Sequence, residues 1–446
     1  MSTALLLRGG RVVTMDASRR VLDADVLVED GRIKTVGRSD RRTAGRSKPT
    51  IDCTGLVVLP GLVQAHIHLC QTLFRGLADD LSLEAWLAQR IWPLEAAHTE
   101  ASLHASAMLG AAELLLGGTT AILAMETVRH TGAVFEALET IGIRATAGKC
   151  LMDSPTSPAA LRESTDRALT ESVDLCGKWH GAADGRLRYC FAPRFAPSCT
   201  GPLLRAVSDL AERSGAMIHT HAAETPLELE TVKRETGHDE IAYLDSVGIS
   251  GPRAALAHCV WVDKDDIAVL ARQRTNIVHC PSSNLKLGSG IAPIPEMLAA
   301  GCRVGIGADG APCNNRLDAF SEMRLAALIQ KPRLGPDALP AAQALELATL
   351  GGARALGLEA DIGSIEVGKR ADLIVLDLDG PHAQPDNADL MSRIVYSARA
   401  ADVRHVIVDG RIVVRDGDLK TADLGAVRRQ ANTHARALRA KALNRL

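Results

Sequence analysis

The stretch GLVQAHIH, residues 61–68, ends an apolar run with His66 and His68. On a β-strand, residues i and i+2 point the same way, so a His-x-His pair aims two imidazoles at one point. Imidazole is a common ligand for zinc, iron and related metals. The pair alone is a weak indication, and its meaning depends on the segments around it.

Seven further apolar runs follow this stretch and alternate with helical segments. Short apolar runs of this kind are typical of parallel strands buried on both faces, and helices between them imply right-handed βαβ units. Eight such units predict a (β/α)8 TIM barrel, an α/β fold. A doubly wound dinucleotide-binding sheet would instead need a Gly-rich turn where His66, Ile67 and His68 stand. The seven runs are TTAILAME (119–126), IRATAGKCLMD (143–153), LRYCFAPRF (187–195), AMIHTHAAE (216–224), AALAHCV (254–260), TNIVHCP (275–281) and RVGIGADG (303–310).

The two chain ends share a different sequence pattern, which is typical of short strands and turns. The same element occurs in VEDGRIKTV (28–36) and IVDGRIVV (407–414). We therefore expect the ends to pair into one small β-sandwich domain. The predicted divisions are a first part of that domain at 1–59, the catalytic barrel at 60–361, the second part at 362–420 and a C-terminal helix at 421–446.

Composition excludes several classes of protein. The 446 residues are 46% apolar and only 3% aromatic, with a formal net charge of -2 and interspersed charges. This balance predicts neither a nucleic-acid surface nor a membrane surface. The ten cysteines are scattered, and no signal peptide is evident, which is typical of buried thiols in the cytoplasm. We expect a cytoplasmic homo-oligomer that binds a small-molecule substrate.

The ends of the predicted barrel strands carry residues that bind metals or transfer protons. In such barrels, catalytic residues lie at the carboxyl ends of the strands. Five of the eight ends qualify here, which chance placement of 14 histidines would rarely produce. These residues are His66 and His68, His221 with Glu224 three positions later, His258, His279 and Asp309.

Together these motifs resemble the amidohydrolase superfamily. The resemblance covers nearly the whole chain, and its closest likeness is to the mononuclear aminohydrolase branch. That branch includes 5'-deoxyadenosine, methylthioadenosine and S-adenosylhomocysteine deaminases, guanine deaminases and triazine chlorohydrolases. The matching segments are HIH (66–68), HAAE (221–224), AHC (257–259), HCPSSNLKLGSGIAP (279–293), GADGAPCNN (307–315) and IGSIEVGKRADLIVLD (362–377).

The resemblance implies a metal site and a catalytic set. One divalent metal, zinc with iron as the alternative, would be held by His66, His68, His221 and Asp309. A binuclear member would use a carboxylated lysine on strand four, but that strand ends in Pro193-Arg194-Phe195, so one metal is expected. By the same likeness, Glu224 shuttles a proton to the substrate ring. His258 orients the attacking water and, with Asp309, takes its proton.

Substrate contacts are also implied by the resemblance. Glu95 matches a glutamate that binds ribose hydroxyls in the adenosine-type deaminases, and His279 a residue near substrate or water. Lys149 stands where those enzymes have an arginine for a charged tail. Gln71 and Arg194 instead match base-reading residues of guanine deaminases. The long segment at 69–99, with Trp86 and Trp92, predicts a lid over the site.

The expected activity is hydrolytic deamination of an amino-purine by a metal-dependent aminohydrolase. A 5'-modified adenosine, either 5'-deoxyadenosine or 5'-methylthioadenosine, is favoured, and the products would be the inosine analogue and ammonia. Guanine deamination and triazine amino- or chlorohydrolysis stay open as alternatives. From another class, a non-catalytic metal-binding protein is the distant alternative. That reading is disfavoured because structural zinc sites are usually Cys-rich, and such a site would not need Glu224 and His258.

Overall fold

The computed structural model describes residues 4–38 and 49–443, which form two sheets and the helices around them. Strands from both chain ends make one sheet, and strands from the middle of the chain make the other. In chain order the strands are β1 Ala4–Val13, β2 Val21–Glu29, β3 Arg32–Gly37, β4 Thr50–Asp52, β5 Val57–Pro60, β6 Leu62–His68, β7 Thr119–Met125, β8 Arg144–Gly148, β9 Cys150–Leu151, β10 Leu187–Pro193, β11 Met217–Ala222, β12 Ala254–His258, β13 Asn276–His279, β14 Arg303–Ile306, β15 Asp309–Gly310, β16 Leu373–Leu376, β17 Val403–Val408, β18 Arg411–Arg415 and β19 Asp418–Leu419.

The middle strands form the predicted barrel. Their order is β14-β13-β12-β11-β10-β8-β7-β6-β15, with β9 also on β10, and every neighbouring pair is parallel. Each of the eight apolar runs contains a strand. The third run is split into β8 and β9, and the eighth into β14 and β15. Since β15 pairs with β6, the last run returns to the first and closes the sheet. The α/β barrel prediction is confirmed.

Closure depends on a glycine between β14 and β15. A Cβ atom on Gly307 would lie 2.6 Å from the carbonyl oxygen and 2.7 Å from the nitrogen of His66. Real Cβ atoms do not approach backbone so closely, so only glycine allows the eighth strand to pass the first. Two residues later, Asp309 pairs with Ile67 in register.

Helices connect successive barrel strands. Their starts are capped by local side chains. For example, Thr99 and Ser102 form a reciprocal capping box, and Asp263 accepts from the first-turn amides of its helix. The helices include Leu83–Trp86, Trp92–Ala96, Glu100–Leu116, Thr131–Ile141, Thr165–Trp179, Gly201–Ser214, Pro226–Thr236, Glu240–Ser246, Lys264–Gln273, Pro281–Lys286, Ile294–Ala299, Ala311–Asn314, Ala319–Leu334, Ala341–Glu346, Gly352–Ala355, Leu390–Tyr396 and Leu424–Leu443.

The strands from the two chain ends form a single nine-stranded sheet. Its order is β19-β18-β17-β16-β5-β1-β2-β3, with β4 on β1, so β5 and β16 join the two ends. The two repeated Asp-Gly turns meet each other, because a Cβ on Gly410 would lie 2.7 Å from the Cα of Gly31. Both glycines have φ of +77°, which glycine adopts at little cost. The predicted pairing of the ends is present, while the domain boundaries themselves stay predictions.

The C-terminal helix, Leu424–Leu443, packs on the barrel helix Glu100–Leu116 and buries Val427, Ala431 and Leu438. Residues 444–446 of the predicted helix lie outside the part of the chain that the structure describes. Among the described residues, no helix combines the length and the apolar character needed to cross a membrane.

A buried ion pair joins the barrel to the strand domain. The guanidinium of Arg144, on β8, donates two hydrogen bonds to the carboxylate of Asp372, at 2.7 and 2.9 Å. Both side chains are at most 3% exposed. Removing one partner of a buried ion pair leaves the other charge buried without a partner, which is strongly destabilising. Exposed ion pairs, by contrast, contribute little to stability.

We therefore expect Asp372→Ala to lower the free energy of unfolding by about 3–5 kcal/mol. Lys233→Ala, which breaks the exposed pair with Asp239, should change it by less than about 1 kcal/mol. Denaturant titration of both variants measures the difference. Equal, small effects would contradict a coupling role for the Arg144 pair.

Candidate metal centre and active site

Four strand ends meet at the carboxyl end of the barrel and bring the predicted chemistry together. β6 carries His66 and His68, β11 carries His221, β12 ends in His258, and β15 starts with Asp309. The side chains of alternate strand residues point into the barrel, which is why His66 and His68 share a face. The separate sequence motifs thus contribute to one site.

The donor atoms converge closely. The Nε2 atoms of His68 and His221 lie 3.2 Å apart, and Asp309 Oδ1 lies 3.3 Å from His66 Nε2 and 3.2 Å from His68 Nε2. The ligand atoms of His66, His68 and His221 all lie within 4.8 Å of one another. A single ion could contact all four side chains.

Backbone carbonyls fix the orientation of two of these imidazoles. Met125 O lies 2.7 Å from His68 Nδ1, and Arg194 O lies 2.5 Å from His221 Nδ1. A carbonyl only accepts, so each Nδ1 carries a proton, and in the neutral tautomer each Nε2 is then the nitrogen that can bind a metal. Such contacts to the second nitrogen typically orient metal-binding histidines.

A second histidine orients His66. His219 Nδ1 lies 3.0 Å from Ala255 O and therefore donates, which leaves its Nε2 to accept from His66 Nδ1 at 2.7 Å. His66 Nε2 then faces the centre as a lone pair. Burial lowers the pKa of His66 to about 4 and that of His219 well below its usual range, so both rings are neutral.

These features fit a divalent metal. Among residues 4–38 and 49–443, the buried His66 Nε2 has no hydrogen-bond partner, although burying a bare acceptor is costly. Three neutral nitrogens and one carboxylate are a donor set typical of a catalytic zinc site. The cluster therefore supplies what one divalent ion requires.

Glu224 and His258 stand beside the donor set. His258 Nε2 lies 3.6 Å from Glu224 Oε2 and 4.0 Å from Asp309 Oδ2. His258 Nδ1 donates to Asn284 Oδ1 at 2.8 Å, and Ser289 donates to Glu224 Oε1 at 3.2 Å. Each catalytic side chain is thus held from behind and keeps one atom directed towards the metal site.

Glu224 and His258 influence each other's pKa. Burial raises the pKa of Glu224, although His258 opposes the shift. Burial also disfavours the charged form of His258, but Glu224 and Asp309 outweigh it and raise the pKa of this histidine. A carboxyl and an imidazole that lie side by side can exchange a proton.

Backbone strain accompanies the site. His258 has φ of 75° and Asp309 has φ of 61°, a region that residues other than glycine seldom adopt. Such conformations cost on the order of 1–3 kcal/mol each and concentrate at functional sites. Both strained residues belong to the cluster at the carboxyl end of the barrel.

A cavity of about 320 Å³ opens above this cluster. The helix Leu83–Trp86 continues through the π-turn Leu87–Ile91 into Trp92–Ala96 and forms one wall, as the lid prediction requires. The apolar lining comprises Leu83, Trp86, Leu87, Ala88, Trp92, Phe195, Pro197, Leu227 and Leu287. A small ligand with a large apolar surface would fit this space.

The polar side of the cavity carries Gln71 and Arg194, two of the predicted substrate contacts. Both bind Glu95, which is buried and does not itself line the cavity within the described chain. The guanidinium of Arg194 donates to the Glu95 carboxylate at 2.7 and 3.2 Å, and Gln71 Nε2 donates to it at 3.0 Å. The three predicted residues therefore form one unit.

Besides Glu95, two further predicted substrate contacts do not line the cavity in the described structure. Lys149 is fully buried, and its ammonium donates to Glu163 Oε1 and to Val128 O, both at 2.6 Å. His279 is buried in the barrel wall, and burial lowers its pKa to about 3.

Sequence reasoning missed the residues that support the catalytic groups. Ser283 donates to Asp309 Oδ2 at 2.6 Å, while Asn284 and Ser289 hold His258 and Glu224. All three fall within the motif at 279–293, so the polar residues of that motif were the available signal. His219, two residues before His221, was not among the predicted site residues, and it orients His66.

Known proteins are similar to this chain over nearly its whole length. The family model described as "Amidohydrolase family" matches residues 57–413. A 5-methylthioadenosine/S-adenosylhomocysteine deaminase of Desulforudis audaxviator is 41% identical over 97% of this chain and 99% of that protein. A 5'-deoxyadenosine deaminase of Methanothermobacter thermautotrophicus is also 41% identical, over 94% and 95% respectively.

A solved structure is similar over the whole length. It is an adenosine deaminase from Xanthomonas campestris with bound zinc, which superposes with a TM-score of 0.91 at 33% identity and covers 98% of this chain and 99% of that one. Since the family model spans most of the sequence, the chain belongs to the amidohydrolase family.

Proposed function

We propose that the chain hydrolyses the exocyclic amine of a 5'-modified adenosine and releases the inosine analogue and ammonia. The observation that carries the proposal is the pairing of Glu224 with His258 beside three imidazoles and Asp309, at the floor of an apolar cavity. The names of the most similar relatives support the same substrate class.

The proposal includes one divalent metal, with zinc as the first choice, held by His66, His68, His221 and Asp309. The metal supplies a Lewis acid that lowers the pKa of a water towards ~7. Lys149 is already bound to Glu163, so it is not free to bridge a second ion. Imidazole and carboxylate ligands suit zinc but do not exclude iron.

Glu224 and His258 move the protons. Deamination requires a proton on the ring nitrogen beside the attacked carbon, and a second on the departing amine. Glu224, whose raised pKa favours the neutral form, can donate the first. His258 Nε2 faces both carboxylates and can hold the proton released by the water, because Asn284 fixes its Nδ1 proton on the far side.

The cavity walls favour a substrate with an uncharged 5' group. Leucine, tryptophan and phenylalanine side chains surround the space above the cluster. A charged amino-acid tail, as in S-adenosylhomocysteine, would need partners, and the ammonium of Lys149 is buried and already paired. A deoxy or methylthio group needs no such partner.

Guanine is the second candidate substrate. Gln71 and Arg194 both face the cavity, and together they could read the polar edge of a purine that carries a carbonyl. Their shared carboxylate, Glu95, fixes both side chains in place. This arrangement would serve base recognition without a ribose.

Elemental analysis of purified protein should give one metal ion per chain, and His66→Ala should lose both the metal and the activity. The physical reason is that His66 offers a buried lone pair with no other partner in the described structure. His238→Ala, which removes an exposed histidine, serves as the control and should keep the metal. A stoichiometry of two ions would contradict the single-metal proposal.

Glu224→Gln should keep the metal and the fold but lose about 10²–10⁴-fold in kcat, because the amide is nearly isosteric yet cannot transfer a proton. Steady-state ammonia release, with metal content and circular dichroism measured on the same sample, tests this. Turnover close to that of the wild type would remove Glu224 from the mechanism.

Among 5'-deoxyadenosine, 5'-methylthioadenosine, adenosine, S-adenosylhomocysteine, adenine and guanine, the first two should show the highest kcat/KM. An unpaired charged tail in the apolar cavity should cost S-adenosylhomocysteine at least about tenfold. The measurement is ammonia release across the panel at matched concentrations. If guanine exceeds every nucleoside, the second candidate replaces the first.

A further inference from the structure

The turn that carries Glu224 is held by hydrogen bonds to several of its backbone groups. The carbonyl oxygens of this turn accept hydrogen bonds from the residues that directly follow β12. Ala222 O accepts from Cys259 N at 3.0 Å, and Ala223 O accepts from Val260 N and Trp261 N, both at 2.9 Å. Ala223 has φ of 51°, a strained value for a residue with a Cβ. The turn therefore keeps its shape only while its neighbours hold it.

Two acidic side chains hold the amide side of this turn. Glu224 N donates to Glu228 Oε2 at 2.7 Å, and Ala223 N donates to Glu240 Oε2 at 3.0 Å. Glu228 lies on the helix Pro226–Thr236 and Glu240 on the next helix, Glu240–Ser246. Two consecutive amides are thus bound by carboxyls from two separate helices.

The two acids also contact each other. Glu240 is 1% exposed and Glu228 is 9% exposed, and the charge of each carboxylate disfavours ionisation of the other. Glu240 Oε1 has no donor among the residues that the structure describes. Two buried carboxylates cannot stand side by side without a proton between them. Burial and mutual repulsion raise the pKa of both groups.

We propose that Glu240 and Glu228 together position Glu224 for proton transfer by binding the two consecutive amides of its turn. The inference deepens the proposed function and rests on it. Glu228 also borders the cavity, whereas Glu240 does not line it in the described structure. Any effect of Glu240 on turnover must therefore pass through the turn, which makes it a positioning residue.

The test compares two substitutions of Glu240. One keeps the length of the side chain but removes the acid, and the other keeps the acid but shortens the side chain. Glu240→Gln keeps an acceptor for Ala223 N and an N–H donor for Glu228, so it should keep kcat near the wild-type value. Glu240→Asp keeps an acid but withdraws the carboxyl by one methylene. It should lower kcat by about tenfold to a hundredfold, a size typical of a misplaced catalytic group, with KM and metal content near wild type.

Two further variants serve as controls. Glu346→Asp shortens a carboxylate that pairs with Arg19 and Arg354 away from the cavity, and it should leave kcat unchanged. Adding Glu240→Asp to Glu224→Gln should cause no further loss, because the group being positioned is already gone. If Glu240→Asp does not fold, Glu228→Asp takes its place and should show the same loss of kcat.

Three outcomes would overturn the proposal: wild-type kcat in Glu240→Asp, equal losses in Glu240→Gln and Glu240→Asp, or a further loss in the Glu224→Gln background. All rates are measured with the amino-purine that the wild type deaminates fastest. A wrong substrate assignment therefore appears in the wild-type panel, while a wrong role for Glu240 appears only in the ratios between variants.

Discussion

Closure of the barrel between its eighth and first strands is the constraint on which the rest of the structure depends. Asp309 stands opposite Ile67, and Gly310 opposite His68, only because Gly307 lets the chain pass against the backbone of His66. The same register places the Asp309 carboxylate against two imidazoles. The His/Asp cluster proposed to hold the metal is therefore a property of the closed sheet, and an open sheet with the same residues would separate its members.

The barrel backbone also orients the histidine rings of the cluster. A carbonyl from the neighbouring strand, reached directly or through His219, decides which ring nitrogen carries the proton. The outward amides and carbonyls of the turn after β11 are used in the same way to hold Glu224. Orientation here comes from hydrogen bonds between neighbouring segments, so the catalytic groups need little adjustment when substrate arrives.

Much of this arrangement could be predicted from the sequence. Runs of apolar residues marked all eight barrel strands, and strand alternation explained why His66 and His68 face one point. The family resemblance, which the family match confirms, supplied the residues that meet at the strand ends. The pairing of Glu95 with Arg194 could not be predicted, since 99 positions separate them and only the barrel topology makes them neighbours. Lys149 was misleading because a position near a strand end does not reveal that Glu163 binds its ammonium in the wall.

The shared sheet of the two chain ends has a consequence for biosynthesis. Strand β5, which is entirely apolar and buried, lies between β1 and β16, yet β16 follows it only after the whole barrel has been translated. At about 5–20 residues per second, the open edge of β5 waits on the order of tens of seconds for its partner. An unpaired apolar edge is a site for association with other chains. The nascent protein therefore carries this open edge throughout the interval in which its barrel is being translated.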